Sequence, residues 1–162
     1  LYEILLNGEP RIMTHAGGPG HSFLLRPVAM KPHEHKLVAE RLYEVFRNAP
    51  KPKAHQPAPP ACDVSGRWDV HVKYQLGEAD HILFLEARGN RIVGTHVATR
   101  WRGEVKGTMD GDKITLASSI PFEGANLIFE FTGTVSGDSM SGALQPDEYP
   151  KATWTARRRV TT

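Results

Sequence analysis

Cysteine is nearly absent. Cys62 stands alone among 162 residues, which excludes an intramolecular disulfide framework and a cysteine-built zinc site. No apolar run approaches the ~20 residues that a membrane-spanning helix needs. Charge of one sign is scarce as well: 20 Lys and Arg stand against 18 Asp and Glu, a net +2. Electrostatics alone therefore give no footprint for nucleic acid. Apolar residues make up 40% and charged residues 23%, a soluble globular composition that argues against wholesale disorder. The stretch Leu1–Ala16 lacks a basic start, an apolar core and a small-residue cleavage site, so no signal peptide is expected. The chain opens on Leu1 rather than Met and reads as starting within a longer protein, with a cytoplasmic setting expected.

Proline is concentrated in one place. Residues Ala49–Pro60 hold five prolines, Pro50, Pro52, Pro57, Pro59 and Pro60. Fixed φ and missing N–H donors make such a stretch an extended connector. It divides the chain into an N-terminal part over residues 1–48, a linker over 49–61 and a C-terminal part over 62–162. Residues 1–62 carry 8 Lys and Arg against 5 Asp and Glu, and residues 63–162 carry 12 against 13. Neither half has a basic face for nucleic acid.

In the first part, Val38, Leu42, Val45 and Ala49 step by 4, 3 and 4 between Pro32 and Pro50, with Leu37 and Phe46 widening the stripe. That spacing predicts an amphipathic helix. Arg11–Thr14 and Ser22–Val28 read as short strands, joined by a loop rich in glycine (Gly17, Gly18 and Gly20). About fifty residues bury a poor core alone, so the helix stripe wants a partner.

The second part changes period. Trp68, Val70, Val72 and Tyr74 alternate along Arg67–Tyr74, the pattern of a half-buried strand. Seven more runs follow: 79–87, 91–98, 101–109, 113–120, 127–135, 140–144 and 152–159. Gly89-Asn90, Asp110-Gly111-Asp112 and Ser136-Gly137-Asp138 supply hairpin turns. Eight strands without an intervening helix predict a mainly β fold. The expected form is an eight-stranded antiparallel up-and-down barrel, preceded by a small α+β segment, because closure removes exposed edges. Gly-Thr recurs at Gly94, Gly107 and Gly133, with a degenerate copy at Gly142. Glycine within strands suits the bends of a strongly curled barrel.

Few residues present themselves for chemistry. Gly17-Gly18-Pro19-Gly20 lacks a Walker lysine and dinucleotide spacing, so a plain strand connection is favoured. His15 and His21 flank it and read as surface residues, and His33 and His35 precede the helix without forming a metal pair. His71, His81 and His96 fall on three successive strands, and exposed sheet positions are expected over a zinc triad. Arg26 interrupts the apolar run Phe23–Val28. A guanidinium there suits either a substrate carboxylate or an ion pair. Arg157, Arg158 and Arg159 read as a solvated strand end. Small barrels either fill with side chains or hold one small ligand. Trp68, Phe84, Trp101, Phe129, Phe131 and Trp154 offer enough bulk to favour filling, with Trp68 and Trp154 placed inside. No catalytic residue and no metal ligand set is assigned.

Three runs within residues 8–47 carry a resemblance. They are Gly8-Glu9-Pro10-Arg11-Ile12, Leu25-Arg26-Pro27-Val28-Ala29-Met30, and the stretch from Pro32-His33-Glu34-His35 through Lys36-Leu37-Val38-Ala39-Glu40-Arg41-Leu42. Together they resemble the C-terminal end of fold-type I pyridoxal-phosphate enzymes of the selenocysteine-synthase-like group, a bacterial transferase family related to aminotransferases and lyases. The resemblance implies that this segment closes a small subdomain, with Arg26 as a substrate-carboxylate contact. It also implies that pyridoxal phosphate is held by an upstream domain of the parent protein or by a twin subunit. The family's cofactor lysine and its aspartate partner belong to that large domain and have no counterpart here, so the chain is expected to be inactive alone. Residues 63–162, with Gly66-x-Trp68 at the start and Trp154 before the closing arginines, resemble lipocalin-like accessory barrels. That likeness implies a binding module for a small apolar ligand, or an interaction domain docking to a parent enzyme. No nucleic-acid or membrane partner is expected.

Overall fold

The computed structural model describes residues 1–16, 23–25, 30–49, 55–122, 125–147 and 149–159. The chain falls into two compact units, one within residues 1–55 and one from Gln56 onward.

In the first unit, α1 (Tyr2–Leu6) precedes a two-strand pair of β1 (His15–Ala16) and β2 (Phe23–Leu24), followed by α2 (Glu34–Arg47). The helix expected from the 4-3-4 stripe is present. It begins where the Glu34 carboxylate accepts the Lys31 backbone N–H at 2.8 Å, satisfying a donor at the helix entry. The strand expected at Arg11–Thr14 does not form. The Ile12 N–H donates to the Leu5 carbonyl at 2.9 Å, and Leu5 and Ile12 are both buried. This run therefore packs on α1, which the sequence pattern did not reveal, and the β pairing moves to His15 and Ala16. No residue of α2 is buried, and Leu37, Tyr43 and Phe46 are each more than half exposed.

The second unit is a closed eight-stranded antiparallel barrel. Its strands are β3 (Gly66–Tyr74), β4 (Gly77–Arg88), β5 (Arg91–Val97), β6 (Arg102–Asp110), β7 (Lys113–Phe122), β8 (Ala125–Ser136), β9 (Ser139–Pro146) and β10 (Ala152–Arg158). Each strand pairs with its chain neighbours, and β10 closes on β3 with Trp154 opposite Val72 and Arg158 opposite Trp68. Alternation puts Trp68, Val70 and Val72 of β3, Leu83 and Leu85 of β4, and Ile114 and Leu116 of β7 into one buried core.

The recurrent glycines have a steric cause. Gly133 and Gly142 face each other across β8 and β9. A Cβ on Gly142 would strike the Thr132 carbonyl and the Gly133 backbone, and one on Gly133 would meet Trp154 Cζ2 at 3.1 Å. The bare backbone thus admits the Trp154 indole, whose Nε1 donates to the Thr132 carbonyl at 3.2 Å and the Ala143 carbonyl at 3.1 Å. Close backbone approach and strong strand coiling are the two services glycine gives a small barrel.

One end of the barrel is sealed. Trp68 is fully buried there, and its Nε1 donates to the Val64 carbonyl at 2.9 Å. The Arg158 guanidinium lies 4.4 Å from the Trp68 ring centroid, a cation–π distance. It also donates to the Ser65 and Asp63 carbonyls and pairs with Asp138 at 2.8 Å. The run Arg157–Arg159 is thus not simply a solvated strand end, because its middle residue, Arg158, closes the barrel. The last residues of the proline-rich stretch join this end as well. The Ala58 N–H donates to Asp110 Oδ1 at 2.7 Å, and the Ala61 N–H donates to the Gly111 carbonyl at 2.8 Å. No helix among the described residues is long and apolar enough to cross a membrane.

Candidate functional site

The other end of the barrel is open. Two adjoining cavities, of about 370 and 290 Å³, occupy it and share Tyr74, Trp101 and Phe129 as walls. The wider one continues along Leu76, Leu127, Pro146 and Tyr149, and the deeper one along Ala79, His81, Ala98 and Arg100. Volumes of this order suit one small organic molecule. The walls are apolar because they continue the inward parity of β3, β4 and β8 beyond the packed core. Small side chains at Ala79 and Ala98 leave the room. Leu76 on the β3–β4 turn is fully exposed, and Trp101 is 39% exposed, so the rim itself is apolar. Burial raises the pKa of Tyr74, so its hydroxyl keeps its proton and remains a donor.

Below these walls runs a buried polar chain. His81 Nδ1 and His96 Nε2 are 2.7 Å apart, and His96 Nδ1 and Ser118 Oγ are 2.9 Å apart. His81 is 5% exposed, while His96 and Ser118 have no exposure. Phe129 and Phe131 hold the His96 ring edge-on, with centroids at 5.6 and 5.4 Å. Burial lowers the pKa of His81, and burial together with the neighbouring His81 lowers that of His96 to about 3. Both imidazoles are therefore neutral near neutral pH. A serine joined to histidines invites comparison with a nucleophile and its base. The order of the chain forbids that role: Ser118 is at the blind end, and a nucleophile must reach its substrate. No group of three or more His, Cys, Asp or Glu able to hold a metal exists among the described residues.

The sequence-derived candidates fare unevenly. Trp68 and Trp154 are both inside the barrel. Phe84 and Trp101 are not core residues: Phe84 is 45% exposed because it shares the outward parity of β4 with Glu86, and Trp101 stands at the rim. Bulk therefore fills one end and leaves the other open. His71 faces outward as alternation requires, bonded to Asp80 at 2.9 Å. His81 and His96, expected on the exposed face, instead point inward. Their parity is that of Leu83 and Leu85 on β4 and of Ile92 on β5, all buried, and this is the signal that identifies them. Arg26, His21 and the glycine run Gly17–Gly20 lie outside the described residues. His33, at the N-cap of α2, and His35, in its first turn, are both exposed. No protein-family model matches this chain, and no curated protein matches it.

Proposed function

We propose that the barrel is a binding module for one small apolar molecule, in the manner of lipocalin-like barrels. The observation that carries this reading is the asymmetry of the interior. Trp68 and Arg158 seal one end, while the other holds two adjoining cavities behind an apolar rim. A barrel that served only as a packed spacer would gain stability from filling that volume. Titration with 1-anilinonaphthalene-8-sulfonate tests the reading. Saturable one-to-one binding is expected. Ala79→Phe, which adds bulk to the deeper cavity far from Trp68, should weaken that binding by about tenfold or more while the barrel still melts cooperatively. Unsaturable binding, or binding indifferent to Ala79→Phe, would overturn it.

A second reading concerns residues 1–48, as the closing segment of a selenocysteine-synthase-like pyridoxal-phosphate enzyme with the barrel as its accessory domain. It is favoured by α2, whose apolar stripe has no buried residue and so offers a face to a larger domain. Lys31 and Lys36 are exposed, unlike the shielded lysine that a Schiff-base cofactor requires, so no cofactor chemistry is assigned to them. Arg26 remains the proposed substrate-carboxylate contact of the assembled enzyme. Reading the coding sequence upstream tests this. A large domain bearing a cofactor lysine is expected, and its absence would overturn the assignment.

A further inference from the structure

Among the described residues lining the deeper cavity, His81 is the polar side chain that is buried, and the hydrogen bonds around it fix what it offers. The chain His81–His96–Ser118 can hold its protons in two ways. In the first, the Ser118 hydroxyl donates to His96 Nδ1, His96 Nε2–H donates to His81 Nδ1, and the remaining proton is on His81 Nε2. In the second, every bond reverses: His81 Nδ1–H donates to His96, His96 Nδ1–H donates to Ser118 Oγ, and the serine proton must find another acceptor.

Ser118 Oγ has no hydrogen bond other than the one to His96 among the described residues, and it is fully buried. The second arrangement thus strands a buried O–H, which is costly. The first satisfies each buried proton and leaves one N–H over. That N–H belongs to His81, which lines the cavity and whose other ring nitrogen is taken by His96. His81 has no further hydrogen-bond partner among the described residues.

We infer that the cavity selects apolar molecules ending in a neutral hydrogen-bond acceptor, such as a ketone, aldehyde or amide carbonyl, which takes the proton of His81 Nε2. The inference rests on the binding-module reading and names its ligand class. A carbonyl oxygen suits the position because the donor is neutral and Ala79, Ala98 and Phe129, which line the cavity with it, are apolar. Arg100 stands at the same cavity, in an exposed position where water already serves an anionic group. Ser118 acts as a positioning residue: it fixes the tautomer of His96, and His96 fixes that of His81, as a second shell does for a ligating histidine.

Two near-isosteric probes separate the possibilities: 2-acetylnaphthalene, which carries the carbonyl, and 2-isopropylnaphthalene, which replaces it with an apolar branch. Quenching of tryptophan fluorescence reads both, since Trp101 lines the cavity. The wild-type chain should bind the ketone about tenfold more tightly, the worth of one hydrogen bond. His81→Leu should abolish that preference while leaving the hydrocarbon's affinity within about twofold. Long-range ¹⁵N–¹H correlation spectra should show both histidines as Nε2–H tautomers, a readout that needs no variant to fold. Equal affinity for the two probes, a preference that survives His81→Leu, or an Nδ1–H tautomer at His81 would overturn the inference and leave the binding module standing. Failure of both probes to bind would overturn both.

Discussion

A histidine kept neutral inside a barrel makes stability depend on pH, and His96 allows the size to be worked out. Its ordinary value is 6.5, and in the folded chain it is pushed down to about 3. The unfolded chain therefore takes up a proton as the pH falls through the ordinary imidazole value, while the folded chain does not. A depressed folded pKa means that the stabilising contribution is full above the unfolded value and is lost as pH falls toward the folded one. Linkage gives a loss of about 2 kcal/mol between about pH 7.5 and pH 5, growing toward ~4–5 kcal/mol near pH 3. The loss at pH 5 depends little on the folded value as long as that value stays well below 5. Urea unfolding at the two pH values measures it. Trp68, Trp101 and Trp154 are the only tryptophans and all lie in the barrel, so their fluorescence reports this unit alone. His96→Gln keeps an amide near the Nε2 position and removes the titration. The variant should be less sensitive to the same pH step by about 2 kcal/mol, whatever its stability at neutral pH, because every titrating group except His81, bonded to His96 at 2.7 Å, keeps its surroundings in both proteins. An equal pH dependence in the two would refute the claim that His96 is buried and neutral.

Other outcomes follow from packing and charge. Trp68→Ala should cost roughly 3–5 kcal/mol as a large truncation in a filled end, measured by the same unfolding assay. Gly142→Ala should be among the most damaging substitutions, beyond about 3 kcal/mol, since its methyl group meets strand backbone rather than a side chain that can move; a mild effect in thermal melts would count against the close approach of β8 and β9. His71, hydrogen-bonded to Asp80 with Glu78 at 3.4 Å, should titrate above the ordinary imidazole value, chiefly because of Asp80. In Asp80→Asn, NMR should show that midpoint falling, and an unchanged midpoint would remove Asp80 as the cause.

Much of the barrel was legible because a strand announces itself locally. All eight runs predicted from alternation overlap β3 to β10, and the turns Gly89-Asn90, Gly111 and Gly137 carry the positive φ that hairpins require. What escaped was anything decided by which parity faces inward. On β4 both parities carry apolar residues, Leu83 on one and Ile82 and Phe84 on the other. The charged residues Glu78, Asp80, Glu86 and Arg88 mark the outer one, and they place His81 inside. On β5, Arg91 does the same for His96. The role of Arg158 was hidden for a different reason. Its partners, Ser65 and Asp63, are distant in sequence and use backbone carbonyls that no residue pattern records. The pocket escaped because counting aromatic bulk says how much volume exists, not at which end it collects. Phe84 and Trp101 add to that bulk, yet Phe84 stands outside the barrel and Trp101 at its rim.

The order in which the barrel assembles is set by its one non-neighbour pairing. Every other ladder joins strands linked by a short turn, so each can form at small cost in chain entropy. The join between β3 and β10 brings together residues as far apart as Ser65 and Arg158, 93 positions along the chain. That contact is worth making only after the intervening hairpins have curled, which places the seam late on the folding route. The arginine across Trp68 is then a latch closed last. Weakening it with Arg158→Met should speed unfolding while leaving the refolding rate almost unchanged. The persistence of the folded barrel, rather than the speed at which it appears, is thus governed from the end opposite to the cavity, where tightening the seam need not disturb whatever the mouth receives.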